Sequence, residues 1–142
     1  MVMVEAPRWH TRSALKALEL KKDYYARTLE LAKQGKPVAW SCIGVATEVL
    51  HSMDIAVAYP ESLGIEASEG GGAIDLLERA EAEGWPVDVC SHMKIGMGYA
   101  ALVKSAGVIP ANAPLGGLPN PQMFLGTSKL CSNQPWGISR PW

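Results

Sequence analysis

This chain predicts an α/β fold: a Rossmann-like open parallel sheet with flanking helices, preceded by a long N-terminal helix. Three observations carry the prediction. Short apolar runs alternate with stretches of helical periodicity. The runs between Val38 and Tyr59 enclose a short helical stretch, the pattern of a βαβ unit with parallel pairing. Each of the three cysteines, Cys42, Cys90 and Cys131, falls just past a strand-like run. Ligands bind at the carboxyl ends of the strands in open α/β sheets, so that shared position is the main functional clue.

Bulk properties narrow the function classes. The 142 residues suffice for one domain with a real core, at an ordinary 48% hydrophobic and 19% charged. By element, the chain divides into an N-terminal helix (1–35) and an α/β unit (36–142). A net charge of −1 from 13 basic and 14 acidic residues argues against nucleic acid or an anionic membrane as a partner. No apolar run is long enough to span a bilayer. Glu5, Pro7, Arg8 and Trp9 interrupt any signal core, so a cytoplasmic location is expected. Three dispersed cysteines in a reducing compartment point to buried thiols, metal ligands or catalysis rather than a disulfide framework.

In chain order, residues 12–34 read as a long helix with Leu15, Leu18, Tyr25, Leu29 and Ala32 on one stripe and Lys22 in its gap. Gly35 stops it and Lys36-Pro37 restarts an extended chain. The stripe is expected to pack on the chain's own domain. Val38 to Cys42 is a buried strand, Ile43-Gly44 a turn, residues 46–53 a short helix and residues 55–59 a second strand. Glu48 and His51 on that helix are expected to face the strand end where Cys42 sits. Pro60 to Gly64 closes the second strand, and Glu69-Gly70-Gly71-Gly72 reads as a linker or mobile lid. It is no phosphate loop: GxxxxGK[ST] is missing, and Glu66 and Glu69 would repel the anion.

Residues 73–83 predict an amphipathic helix with Ile74, Leu77 and Ala80 inward, ended by Gly84 and Pro86. A strand-like run from Trp85 to Val89 then leads into Cys90. Residues 93–106 form a helix whose Gly96, Gly98, Ala100 and Ala101 permit close approach of another backbone. Residues 108–122 carry Pro110, Pro114, Pro119 and Pro121 and no charge, an irregular loop suited to lining an apolar ligand channel. Met123 to Gly126 is the last strand, followed by the turn that carries Cys131. The chain stops soon after that turn, so it is expected to be part of something longer or to complete itself against a partner.

A thiol at Cys90, between such a run and a helix, meets unpaired N–H groups and partial positive charge that favour the thiolate, the form that binds metal or reacts. The competing reading is a small buried hydrophobe, since cysteine is often fully buried and these three have no CxxC spacing. Glu48 reads either as a proton-transfer group or as a helix-surface carboxylate. His51 and His92 suit proton movement near neutral pH or structural hydrogen bonding, with His92 beside Cys90 able to tune a metal there. A Cys/His zinc site on Cys90, His92 and Cys131 is a further alternative.

Taken in order, these segments resemble the 2-hydroxyacyl-CoA dehydratase and benzoyl-CoA reductase family. Gly35-Lys36-Pro37-Val38, Glu48-Val49-Leu50, Met53-Asp54 and Tyr59-Pro60-Glu61 resemble its opening. Asp88-Val89-Cys90-Ser91 is similar to its Cys-Ser-Tyr motif, with His92 where tyrosine is usual. Residues Pro114 to Pro119 followed by Lys129-Leu130-Cys131-Ser132 resemble its Asn-x-Cys-Asp segment. The resemblance implies a [4Fe-4S] cluster on three cysteines, with Cys90 and Cys131 at two ligand positions. Cys42, where the family requires no cysteine, is put forward as a third. It implies an acyl-CoA substrate, a paralogous partner subunit, an ATP-dependent iron–sulfur activator, and Glu48 beside the substrate. Tyr59-Pro60-Glu61 is closest to the reductase type, with the 2-hydroxyacyl-CoA dehydratase type as the alternative. A non-catalytic scaffold subunit is the reading from another class.

Overall fold

A computed structural model describes residues 11–127; Cys131, its flanking Lys129 to Ser132 segment, Trp136 and Trp142 lie outside the described residues. Helix α1 runs Arg12–Lys33, strand β1 Val38–Ser41, α2 Glu48–Ser52, β2 Ala56–Ala58, α3 Pro60–Gly70, α4 Ala73–Ala82, α5 Ser91–Ala106 and β3 Met123–Leu125, with a 3-10 turn at Pro114–Gly116. The three strands form a parallel sheet in the order β2-β1-β3. Helices flank it, so the α/β class holds. Side chains alternate across the strands. Val38, Trp40, Ala56 and Ala58 join one core cluster, and Ala39 and Val57 join another on the opposite face.

The Thr11 hydroxyl caps α1 by accepting from Ala14 N at 3.1 Å, and Gly35 at φ +79° turns the chain out of it. Only the second half of α1 packs on the sheet. Tyr25 and Thr28 are buried, the Tyr24 hydroxyl donates to Val57 O at 2.8 Å, and Lys21 pairs with Glu66 of α3. Leu15 and Leu18, at the start of the same stripe, stay exposed. Apolar spacing sets which side of a helix is apolar, and the length of the sheet beneath sets how much of that side is covered.

The stretch read as a strand end and mobile lid is helix α3. Pro60 takes its first position, where no N–H partner is needed, and Leu63, Gly64 and Ala67 form the buried face. Gly64 lowers helix propensity and obscured the pattern. It is required because a Cβ there would lie 2.4 Å from His92 O of α5. The Glu69–Gly72 segment is the last turn of α3 plus a two-residue joint, with Gly71 left-handed at φ +82°.

Helix α4 buries Ala80 and packs Leu77 against the core, as its periodicity suggested, but Leu76 takes the inward place expected of Ile74, which is 67% exposed. The face is set by α5, where an added Cβ at Gly98 would meet Leu76 O at 1.8 Å. At Gly96 it would meet Pro60 Cβ at 2.7 Å. The small residues of α5 thus serve close approach, as expected, on α3 and α4 both.

Residues 86–89 form a turn and not a strand, with Val89 N donating to Pro86 O at 3.4 Å. Pro86 has no N–H for a ladder and Val87 is 77% exposed, so an apolar composition does not produce pairing here. The uncharged loop after α5 is tied down by polar contacts. Tyr99 Oη donates to Leu118 O and accepts from Leu118 N, Trp40 Nε1 donates to Pro119 O, and Val38 N donates to Gln122 Oε1. These bonds bring β3 alongside β1. Part of the loop (Pro110, Asn112, Ala113, Pro114) does line a cleft of about 380 Å3 against α3, α4 and α5. No helix among the described residues is long and apolar enough to cross a membrane.

Candidate functional site

The chain passes from β1 to β2 on one side and returns to β3 on the other, so the reversal lies between the carboxyl ends of β1 and β3. At such a reversal the connections diverge and leave a crevice. Cys42 stands there, its N–H donating to Leu125 O at 3.0 Å, with the side chain buried among Ala80, Trp85, Val89, Met93 and Met97. A void of about 10 Å3 remains beside it, bordered by Pro60, Met93 and Phe124.

Cys90 reaches the same cluster from the other direction. It is the N-cap of α5, with backbone angles of −45° and 126°, half-buried and packed against the group that contains Cys42. Its carbonyl accepts from Lys94 N at 2.9 Å, the first bond of the helix. Two of the three cysteines, 48 positions apart in sequence (90 − 42), thus border one apolar cluster at the carboxyl edge. The third, Cys131, is outside the described residues. Among the described residues no three His, Cys, Asp or Glu side chains gather as a metal-holding group.

Around these thiols several polar groups hold the edge in shape. Glu61, in the first turn of α3, accepts from Ile43 N at 2.8 Å and so fixes the loop that leaves Cys42. The Thr47 and Tyr59 hydroxyls meet at 3.0 Å at the start of α2 and the end of β2. Neither Glu61 nor this pair stood out in the sequence as a site residue. The available signal was a carboxylate in the opening turn of a helix that begins at the end of a strand.

Glu48 is the exposed first residue of α2, next to Thr47. His51 does not share its surroundings. A helix of this polarity travels back toward the start of β2, and His51 stands edge-on to Tyr24, ring centroids 6.3 Å apart, in a cleft of about 270 Å3 with Arg27 and Asp54. The His92 side chain is exposed, while its backbone lies against Gly64. Lys94 is buried, and its ammonium donates to Glu81 Oε1 at 2.6 Å and to Val87 O at 3.2 Å.

The described residues define a parallel α/β unit with two thiols bordering one apolar cluster at its carboxyl edge. Comparison with known proteins names the family. No family model matches the chain. The lactoyl-CoA dehydratase subunit alpha of Anaerotignum propionicum is 34% identical over 118 residues, covering 79% of this chain and 28% of that protein. The (R)-2-hydroxyisocaproyl-CoA dehydratase alpha subunit of Clostridioides difficile is 25% identical over 114 residues. The (R)-2-hydroxyglutaryl-CoA dehydratase subunit alpha of Acidaminococcus fermentans is 31% identical over 84 residues. The chain belongs to the 2-hydroxyacyl-CoA dehydratase family. It spans about a quarter of the length of the first two relatives. All three are dehydratase alpha subunits, so the dehydratase alternative is better supported than the reductase type suggested by Tyr59-Pro60-Glu61.

Proposed function

We propose that this chain forms the thiol-bearing part of an alpha-type 2-hydroxyacyl-CoA dehydratase subunit, a lyase component, with Cys90 as a ligand of a [4Fe-4S] cluster. The observation that carries the reading is the convergence of Cys90 and Cys42 on one cluster at the carboxyl edge of the sheet. The donor set fits: thiolates are the usual ligands of iron–sulfur clusters, and a half-buried thiol beside a wholly apolar wall gives low solvent access. Cys131 belongs to the same ligand set in this reading, and Cys42 is its reserve member. The three described strands would then be part of a Rossmann-like open sheet.

Held by Cys90 with Cys131, such a cluster would supply low-potential electrons for a CoA thioester. The chain's own residues do the rest. Cys90 anchors from the helix N-terminus, and the apolar wall of Met93, Met97 and Trp85 excludes water. Glu61 and the Thr47–Tyr59 pair keep the edge rigid, and Glu48, exposed at that edge, is the group placed to move a proton on substrate. His51, in its separate cleft, takes no part, and His92 acts at most through Cys90. The partners in this reading are a paralogous subunit and an ATP-dependent iron–sulfur activator, and the location is cytoplasmic.

The test is anaerobic iron and acid-labile sulfide quantitation, with EPR after dithionite, on the full-length subunit copurified with its partner. Cys90→Ser is expected to lose most of the iron and the EPR signal, and dehydration of a 2-hydroxyacyl-CoA with them. Iron-free preparations that still dehydrate the substrate, or zinc bound in place of iron, would overturn the cluster reading.

A further inference from the structure

We infer that Lys94 is the positioning residue for the Cys90 thiol. The inference rests on the reading that Cys90 is a functional thiol.

Lys94 stands in the opening turn of α5, one helical turn after Cys90, and its side chain is 6% exposed. Two features of this placement oppose stability. A cation near a helix N-terminus faces the positive end of the helix dipole. Burying an ammonium removes its hydration, and an apolar side chain of the same length is often equally stable or better at such a site. What the lysine gains is a specific set of bonds. Its ammonium donates to Glu81 Oε1 at 2.6 Å, near the end of α4, and to Val87 O at 3.2 Å, in the turn that leads into Cys90. Its backbone N–H closes on Cys90 O at 2.9 Å.

One residue therefore grips the helix before the turn, the turn itself, and the helix after it. The turn needs such a grip. Residues 86–89 have no strand pairing, their one internal backbone bond is the long 3.4 Å contact from Val89 N to Pro86 O, and Val87 is 77% exposed. Trp85 and Val89 pack into the apolar wall at either end of the turn, while Lys94 supplies the polar tie at exposed Val87 between them. With it, the thiol is held against the wall shared with Cys42. Cys42 arrives from β1 and owes its place to the sheet, so it serves as an internal reference.

The experiment measures alkylation of each cysteine by iodoacetamide, followed by peptide mass spectrometry, on the full-length subunit copurified with its partner and stripped of iron. Lys94→Met is expected to raise the Cys90 rate about tenfold, the local opening that loss of a charge-assisted buried hydrogen bond permits, with the Cys42 rate unchanged. Lys94→Arg should restore selectivity, and the surface-side Glu81→Gln should give a smaller rise at Cys90 alone, which keeps the test open if Lys94→Met does not fold. Equal acceleration at Cys90 and Cys42, or no change at either, would overturn the inference, because that is how a purely structural lysine behaves. Iron content after reconstitution is read separately. Absent iron with Cys90-selective acceleration would remove the cluster and keep the positioning role.

Discussion

The two faces of the sheet are covered unequally. One face carries Val38, Trp40, Ala56 and Ala58 and is buried under the second half of α1, α3, α5 and the loop around Leu118, with α4 contributing Leu76. The other face carries Ala39, Val57, Met123 and Leu125, and among the described residues the single helix over it is the five-residue α2, through Leu50. Val49 on α2 and Met53 just after it are 60% and 64% exposed. The thick face holds both cysteine-bearing approaches, since α5 packs there on α3 at Gly64 and Gly96 and, with Ala80 of α4, Trp85 and Val89, sets the wall next to Cys42 and Cys90. The thin face supplies Glu48, Thr47 and Tyr59 at the same edge. Rigidity and polar chemistry at one edge thus come from opposite sides of the strands. Disturbing the thick face should move the thiols, and disturbing the thin face should leave them in place.

The largest break in this contrast is expected at Gly98→Ala. The new methyl would enter the backbone of Leu76, which cannot yield without separating α4 from α5, at a cost of about 3 kcal/mol or more. Urea denaturation measures it, and a loss below 1 kcal/mol would mean that the two helices are not locked at this point. A paired truncation comes next. Leu63→Ala, fully buried between α3, the sheet and α5, should cost about 4 kcal/mol. Leu50→Ala on the thin face should cost about 2 kcal/mol, because α2 can settle toward the sheet and shrink the cavity. Equal losses in the two would show that the thin face is covered as firmly as the thick one.

The smallest effect is one of pH. Burial raises the phenols of Tyr25 and Tyr99 on the thick face, and burial together with the neighbouring Tyr59 ring raises Tyr24 at the β2 edge. The Tyr25 hydroxyl leans toward Ser62 and the Tyr59 backbone without a hydrogen bond of good geometry. Folded-state values above the ordinary one near 10 stabilise the fold below that pH, and the contribution is lost as pH rises through the raised values. Stability should therefore be flat through neutral pH and fall above about pH 10, with tyrosinate absorbance and loss of helical circular dichroism rising together. Absorbance rising well before the helix signal falls would show that these rings titrate in the folded chain.

Much of the fold could be read directly, because it depends on local rules. The stop at Gly35, the βαβ unit between Val38 and Tyr59, and the long helix after Cys90 follow from periodicity and capping. Gly96 and Gly98 were legible as contact points because a bare Cα inside an apolar helix has few other uses. The placement of thiols at strand and helix ends was legible at Cys42 and at the α5 N-terminus. Alternating apolar residues at Trp85 to Val89 were not enough to make a strand, since pairing needs a neighbour and Pro86 and the exposed Val87 deny it one.

What the sequence determined by itself is the long N-terminal helix with its stop at Gly35, the β1-α2-β2 unit, α4, α5 and β3, and the family they compose, since each is written within a dozen or so consecutive residues. The tertiary structure alone decided that α3 exists despite Gly64, that α4 buries Leu76 and not Ile74, and that Leu15 and Leu18 of the α1 stripe find no cover among the described residues. It also decided that Cys42 and Cys90 border one apolar cluster while His51 lines a separate cleft. These outcomes turn on distances between segments far apart in the chain. A close approach of two helices that only glycine at position 64 permits, or a turn bonded by one buried ammonium, leaves no trace in local periodicity.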